Sequence, residues 1–259
     1  MLLGVNIDHI AVLREARRVN DPDIIDALSI VKMAGGDQIT IHLREDRRHI
    51  QDIDLKRIAQ LAPLPINLEC AKSKAMINIA LHYKPHRVTI VPENRQEVTT
   101  EGGLLVEAED EALRHAIKSL QDNEIEVSLF IDPTMQAVNA SLDMGAEWVE
   151  FHTGEYANIY AMLNGSLKNS HHSIKALDLP RNELKAKLDE EIEKLSSVAK
   201  YAKNLGLRVA AGHGLNYNNV KNIAYIESIE ELNIGQSIIA RSIFSGLHSA
   251  IEDMKRLID

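Results

Sequence analysis

The chain has 259 residues, of which 45% are apolar and only 4% aromatic, and its formal net charge is −9. The acidic balance and the scarcity of aromatic rings exclude a polyanion-binding field or a base-stacking platform, so no nucleic-acid partner is expected; small phosphorylated ligands need only a few local donors. One cysteine rules out an internal disulfide, no apolar run reaches a membrane span, and the first residues lack a basic leader, so no membrane partner and a cytoplasmic location are expected.

Short β-branched runs alternate with amphipathic segments along the chain. The first strand is predicted over residues 2–7 and hands over to Asp8-His9. Asp21-Pro22 predicts a helix cap with a first-turn proline, followed by Ile24, Ile25, Leu28 and Val31 at helical spacing and by Gly35 as a stop. The second strand, Gln38–His42, breaks at its histidine into Arg44-Glu45-Asp46-Arg47-Arg48-His49. A strand buried on both faces that opens into such a cluster is how an α/β enzyme delivers side chains to a site. Six more strands are predicted over 66–69, 87–91, 126–131, 148–152, 208–211 and 231–234. Leu184, Leu188, Ile192, Leu195, Ala199, Ala202 and Leu205 mark one face of a late helix that Gly206 closes.

Eight such alternations without a composition break predict one (β/α)₈ barrel domain over 1–259, a fold that typically takes about 250 residues. A doubly wound open sheet is the alternative, disfavoured because no G-x-G-x-x-G follows the first strand. Residues 155–181 predict a long insertion after the sixth strand, a lid or a disordered ornament, where such loops usually run about two to six residues. His171-His172 within it has no neighbouring carboxylate or thiol and is expected in solvent.

In such a barrel the site forms at the C-terminal ends of the strands. Those ends carry Asn6, Asp8 and His9; His42, Arg44 and His49; Glu69; Pro92-Glu93 and the run to Thr99; Asp132; Glu150 and His152; Gly212-His213-Gly214; and Asn233-Ile234-Gly235-Gln236. Glycines at the last two strand ends let backbone N–H groups approach a phosphate, and a helix starting near Gln236 would add its positive end. His9, His42, His152, His213 and Glu69 together are acid–base equipment. No lysine closes a strand, which leaves a protein Schiff base unsupported. The same histidines and Glu69 could instead hold a divalent metal, as in a metal-dependent barrel hydrolase acting on a phosphorylated substrate. Ligand spacing speaks against it, since Asp8 and His9 point to opposite faces if the first strand continues. If Glu69 points inward, Cys70 points outward and is inert, and Trp148 is expected to pack behind the sixth strand. A phosphosugar-binding protein without catalysis is the third reading.

The same residues sit in longer stretches that resemble the pyridoxine 5′-phosphate synthase family. These are Gly4-Val5-Asn6-Ile7-Asp8-His9-Ile10-Ala11, Thr40-Ile41-His42-Leu43-Arg44-Glu45-Asp46-Arg47-Arg48-His49-Ile50, Val91-Pro92-Glu93 and Arg95-Gln96-Glu97-Val98-Thr99-Thr100-Glu101-Gly102-Gly103. They continue with Val127-Ser128-Leu129-Phe130-Ile131-Asp132, His152-Thr153-Gly154, Ala211-Gly212-His213-Gly214-Leu215 and Glu231-Leu232-Asn233-Ile234-Gly235. The resemblance implies a (β/α)₈ transferase of vitamin B6 biosynthesis that condenses 1-deoxy-D-xylulose 5-phosphate with 3-amino-2-oxopropyl phosphate. Its products are pyridoxine 5′-phosphate, phosphate and water. It also implies a homo-octamer built from dimers, with no organic cofactor and no metal.

By motif, His42 and Glu69 are implied as proton acceptors and His213 as a proton donor. Asn6, Arg17, Gly214, Gly235 and Gln236 would hold the aminoketone phosphate; Asp8, His9, Arg44, His49 and Thr99 would hold the deoxyxylulose phosphate. Glu150 falls at a further position that the family places in the site, while Glu45, Asp46, Arg47 and Arg48 are expected only to shape their loop through ion pairs. The substrate's own amine accounts for the missing lysine. Two departures stand out: Gln236 replaces the histidine that members commonly carry after Asn-Ile-Gly, and the segment after the sixth strand is longer than usual.

Overall fold

The computed structural model describes residues 1–93 and 102–259. In chain order the elements are β1 (Leu2–Asn6), α1 (Asp8–Glu15), α2 (Asp26–Met33), β2 (Gln38–His42), α3 (Asp52–Leu61), β3 (Ile66–Cys70), α4 (Lys74–Tyr83), β4 (Arg87–Ile90), α5 (Glu111–Gln121) and β5 (Glu126–Ile131). They continue as α6 (Met135–Asp143), β6 (Trp148–His152), α7 (Gly154–Asn164), α8 (Arg181–Asn204), β7 (Arg208–Gly212), α9 (Val220–Ala224), β8 (Glu231–Ile234), α10 (Gln236–Ser245) and α11 (Leu247–Ile258). Strands pair in parallel in chain order, and β8 closes on β1. This is the (β/α)₈ barrel that the alternation of strands and helices predicts.

Alternation along each strand sorts its side chains into two surroundings. Leu3, Val5, Ile39, Ile41, Leu68, Val88, Ile90, Val127, Leu129, Val149 and Phe151 are fully buried in one apolar cluster with the helices. Burying each such side chain stabilises by about 1.5–3 kcal/mol, and this outer layer is the core. The other strand face lines the bore, and it is polar. Gln38 Nε2 donates to Glu231 Oε1 (3.1 Å), Thr40 Oγ1 bonds Asn233 Oδ1 (2.9 Å), and Arg87 Nη1 donates to Glu231 Oε1 (2.8 Å), all between strands that are not neighbours. Barrel interiors are usually filled by branched apolar residues. Here these paired groups bond one another across the bore, which offsets the desolvation cost of burying them.

Trp148 belongs to this bore rather than behind the sixth strand. It shares the face of Glu150, its Nε1 donates to Glu126 Oε2 (3.1 Å), and the guanidiniums of Arg87 and Arg208 lie 3.6 and 3.9 Å from its ring centre on the barrel floor. Strand alternation puts residue 148 on the inward face with Glu150 and His152, where the arginines meet the electron-rich face of the indole.

Three other expectations are corrected. The helix predicted to start at Asp21-Pro22 begins at Asp26, because the Asp23 carboxylate accepts from Ile25 N–H (3.1 Å) and is gripped by both Arg57 Nη atoms (3.0 and 2.8 Å), which fixes a turn. The predicted insertion begins as helix: α7 takes its first part and buries Tyr156, Ala157, Ile159 and Met162. Leu167, Ile174, Leu177 and Leu179 then pack on the core, so the rest is neither structureless nor detached. Finally, Leu205 lies past the end of α8 and is exposed. His171 and His172 are exposed, as expected.

Candidate active site

At the mouth, β2 and β3 set His42 directly beside Glu69 in register. The chain leaves β1 and enters α1 at once, so Asp8 and His9 stand in a first helical turn, not on opposite faces of a continuing strand. From there Asp8 Oδ1 accepts the backbone N–H of His42 (2.9 Å). Asn6 and Asp8 brace each other, Asn6 Nδ2 donating to Asp8 Oδ2 and Asp8 N–H donating to Asn6 Oδ1, both at 2.9 Å.

The His42 ring is held from the next strand but one. Its Nε2 lies 3.0 Å from Glu93 Oε1, and Glu93 Oε2 accepts the backbone N–H of Glu45 (2.9 Å). Burial works to raise the Glu93 proton affinity, but the His42 bond and the Glu45 N–H, with Arg44 nearby, hold the carboxyl below its usual range. His49 is buried 6.1 Å from the His42 ring, centre to centre, and its Nδ1 accepts Ile50 N–H (2.8 Å). Arg44 is buried, with Nε 3.6 Å from Asp46 Oδ1. The remaining charges of this loop shape it: Arg48 pairs with Asp46 (2.6 Å) and Arg47 with Asp52 (3.0 Å).

Below the mouth, burial, with Glu150 and Asp8 nearby, pushes the Glu69 carboxyl well above its ordinary value. Glu150 is pushed up to about 8, by burial first and by Glu231 second, against the pull of Asn233 and Arg87. Asn233 Nδ2 links the two carboxylates, and Gly212 leaves the room, since a Cβ there would sit 2.5 Å from Glu150 Oε1. Cys70 is fully buried and its thiol is pushed up to about 12 by burial, the inert outward cysteine expected.

Across the mouth, His213 has the left-handed φ of 77°. Thr153 holds it there, its Oγ1 lying 2.7 Å from Gly212 O and 2.6 Å from His213 O. The His213 ring lies 4.9 Å from that of His152, inclined to it by 57°, and His152 Nδ1 is 3.4 Å from Asp132 Oδ1. Gly214 follows, and Gly235 caps α10 while packing so closely on Asn6 that a Cβ would be 2.8 Å from the Asn6 Cβ. Gln236 opens α10, exposed, at its positive end.

The structure thus brings Asn6, Asp8, His9, His42, Arg44, His49, Glu69, Glu150, His213, Gly214, Gly235 and Gln236 to the strand ends. Arg17 is exposed in the turn after α1, with no side-chain contact to this cluster among the described residues. Thr99 lies outside the described residues. Glu93, Thr153, Asp132 and Asn233 are unexpected partners of the strand-end acid–base groups. Each stands at a strand end or one to three residues past it, which was the available signal. Among the described residues no group of three or more His, Cys, Asp or Glu has the geometry to hold a metal ion. A cavity of about 420 Å³ opens beside Glu93 and Lys72. A larger one of about 640 Å³ lies near Arg14, Arg18 and Arg57, away from this chemistry. There Arg14 is already paired with Asp54 and Arg57 with Asp23.

The profile of the family described as "Pyridoxal phosphate biosynthesis protein PdxJ" matches residues 3–259. The chain is 66% identical over 258 residues to the pyridoxine 5′-phosphate synthase of Sulfurovum sp. (strain NBC37-1), covering 100% of both chains. It is 60% identical over 258 residues to that of Aliarcobacter butzleri (strain RM4018), covering 100% of this chain and 99% of the relative. Among solved structures, KGPDC from Streptococcus mutans superposes with a TM-score of 0.55 at 14% identity, over 99% of this chain and 96% of the other. An aldolase described as 4-hydroxy-2-oxoglutarate aldolase/2-deydro-3-deoxyphosphogluconate aldolase from TTHB1 gives 0.61 at 11% identity, over 100% and 94%. At such identities the likeness concerns the fold alone.

Proposed function

The chain belongs to the PdxJ family of pyridoxal phosphate biosynthesis proteins, and from that premise we propose how its strand ends divide the work. The reaction is the family's: 1-deoxy-D-xylulose 5-phosphate and 3-amino-2-oxopropyl phosphate condense to pyridoxine 5′-phosphate, with release of phosphate and water. The amine of one substrate attacks the ketone of the other, an imine forms as water leaves, and ring closure follows through repeated proton transfers. No strand closes on a lysine, and none is needed, because the nucleophilic amine arrives with the substrate.

His42 and Glu69 accept protons and His213 returns one. The observation that carries this reading is the register pairing of His42 with Glu69, a carboxyl that burial pushes well above its ordinary value. Asn6, Gly214, Gly235 and Gln236 hold the aminoketone phosphate through amide groups and the helix end, with Arg17 as their cation. Asp8, His9, Arg44, His49 and Thr99 hold the deoxyxylulose phosphate, and Glu150 lies beneath the reacting carbons. Because Arg17 is exposed within one copy, its share is tied to a homo-octamer built from dimers, which we propose as the working form in the cytoplasm. Ile243 and Phe244, 65% and 92% exposed, supply apolar surface for such contacts.

Mixing the purified protein with both phosphorylated substrates and following pyridoxine 5′-phosphate by absorbance tests the reaction. Absence of product from well-folded protein would overturn it. Elemental analysis of the active enzyme separates this cofactor-free reading from a metal-dependent hydrolase, and sedimentation measures the octamer.

A further inference from the structure

We infer that Glu93 is a positioning residue for proton transfer at His42: its carboxylate fixes the imidazole as the tautomer with hydrogen on Nε2, which leaves Nδ1 as the base. The inference rests on the acid–base role proposed for His42.

Three observations converge. The Glu93 side chain is 6% exposed and reaches His42 Nε2 at 3.0 Å. Its second oxygen is fixed independently by Glu45 N–H at 2.9 Å, so the carboxylate has two anchors and little freedom to turn. The backbone of His42 is pinned in turn by Asp8, so both the root and the ring tip of the histidine are set. A second imidazole–carboxylate pair of the mouth, His152 with Asp132, is longer at 3.4 Å, and its carboxylate is 53% exposed. Glu93 is therefore the tighter grip.

Chemistry dictates the tautomer. An ionised carboxylate only accepts, and a neutral imidazole has one donor and one acceptor nitrogen. Facing Glu93, Nε2 must carry the hydrogen, and the lone pair falls to Nδ1. When Nδ1 takes a proton from the bound substrate, the ring becomes cationic at contact distance from Glu93, which stabilises the charge as it develops. Releasing that proton restores the neutral ring, and Glu93 never changes its own protonation.

Glutamine at this position makes a sharp test. It has one acceptor oxygen, where Glu93 uses two. If that oxygen stays on Glu45 N–H, the amide NH₂ faces Nε2 and demands the opposite tautomer, which places hydrogen on Nδ1 and removes the base. We expect Glu93→Gln to lower kcat by roughly 10²–10⁴-fold, with KM for each substrate changed no more than about threefold. Glu93→Asp should recover part of kcat. Nitrogen NMR of enzyme labelled in its histidine rings, with His42 assigned by its loss in His42→Asn, should show hydrogen on Nε2 in the native protein and on Nδ1 in Glu93→Gln. The inference is overturned if His42 keeps its tautomer in Glu93→Gln, or if kcat stays within about twofold of the native value. It is overturned equally if kcat falls only together with thermal stability, the mark of a mere loop anchor. Should the native enzyme make no product, the reaction assignment fails, while the NMR measurement still decides the tautomer.

Discussion

Glu150 and Glu231 accept hydrogen bonds from one and the same nitrogen, Asn233 Nδ2, at 2.8 and 3.2 Å inside the closed barrel. Arg87 is within 2.8 Å of Glu231, whereas Glu150 has no cation in contact among the described residues. Burial first and the neighbouring Glu231 second push the Glu150 carboxyl up to about 8.

The consequence for stability has a definite sign. The Glu150 carboxyl titrates near 8 in the folded chain against 4.5 for an unperturbed glutamate, so the native state binds the extra proton between those values. Its stabilising contribution is complete below about pH 4.5 and is lost as pH rises through about 8. Urea unfolding at pH 6 and pH 9 should show a larger drop for the native chain than for Glu150→Gln, whose amide does not titrate. Equal drops would place the proton elsewhere.

Thr153 carries a second prediction. Its hydroxyl hydrogen is shared between two carbonyls, one of them from His213, a residue whose positive φ is otherwise unfavourable. Thr153→Val keeps the shape and removes the donor, which should cost about 1–3 kcal/mol in chemical denaturation. The His213 imidazole then loses its fixed backbone, and kcat should fall while KM holds. A variant with lowered stability but native kcat would confine Thr153 to the fold.

Gly212 is constrained by the bore. Gly212→Ala would drive a methyl into Glu150 Oε1 at 2.5 Å and Asn233 O at 3.0 Å. Overpacking of this kind costs typically about 1–3 kcal/mol, and the displaced carboxylate should depress activity more than stability alone explains. Activity compared at equal folded fraction separates the two.

Gln236 provides a chemical contrast at the mouth of α10. An amide donates hydrogen but carries no titrating charge, so phosphate affinity at this point should vary little with pH. Inorganic phosphate titrated across pH into the native chain and into Gln236→His should diverge on the acid side, with the histidine variant binding more tightly there. Superimposable curves would mean that the side chain does not reach the anion.

Much of this architecture was legible in the order of residues. Val, Ile and Leu on the outward strand faces gave strand positions that hold to within one residue at each end, because helix packing demands them. The strand-end placement of His42, Glu69 and His213 was legible too, since chemistry at a barrel mouth must come from strand ends. What escaped was pairing across space. Nothing in Gln38-Ile39-Thr40 tells that Gln38 and Thr40 bond β8 through the bore, or that Glu93 reaches His42. The helix α7 escaped for a different reason: its apolar residues surround it nearly all round, so no single stripe stands out against the flanking asparagines and glycines.

Trp148 is the chain's sole tryptophan, and it is clamped between two guanidiniums at the floor of the bore with no exposed surface. Those cations come from β4, two strands away, and from the adjacent β7, so the indole keeps its surroundings only while the barrel stays closed. The molecule therefore carries a built-in optical gauge of closure. Its emission reports one defined spot, at the opposite end of the strands from the candidate site, and should stay constant as substrates bind and change abruptly when the strands part.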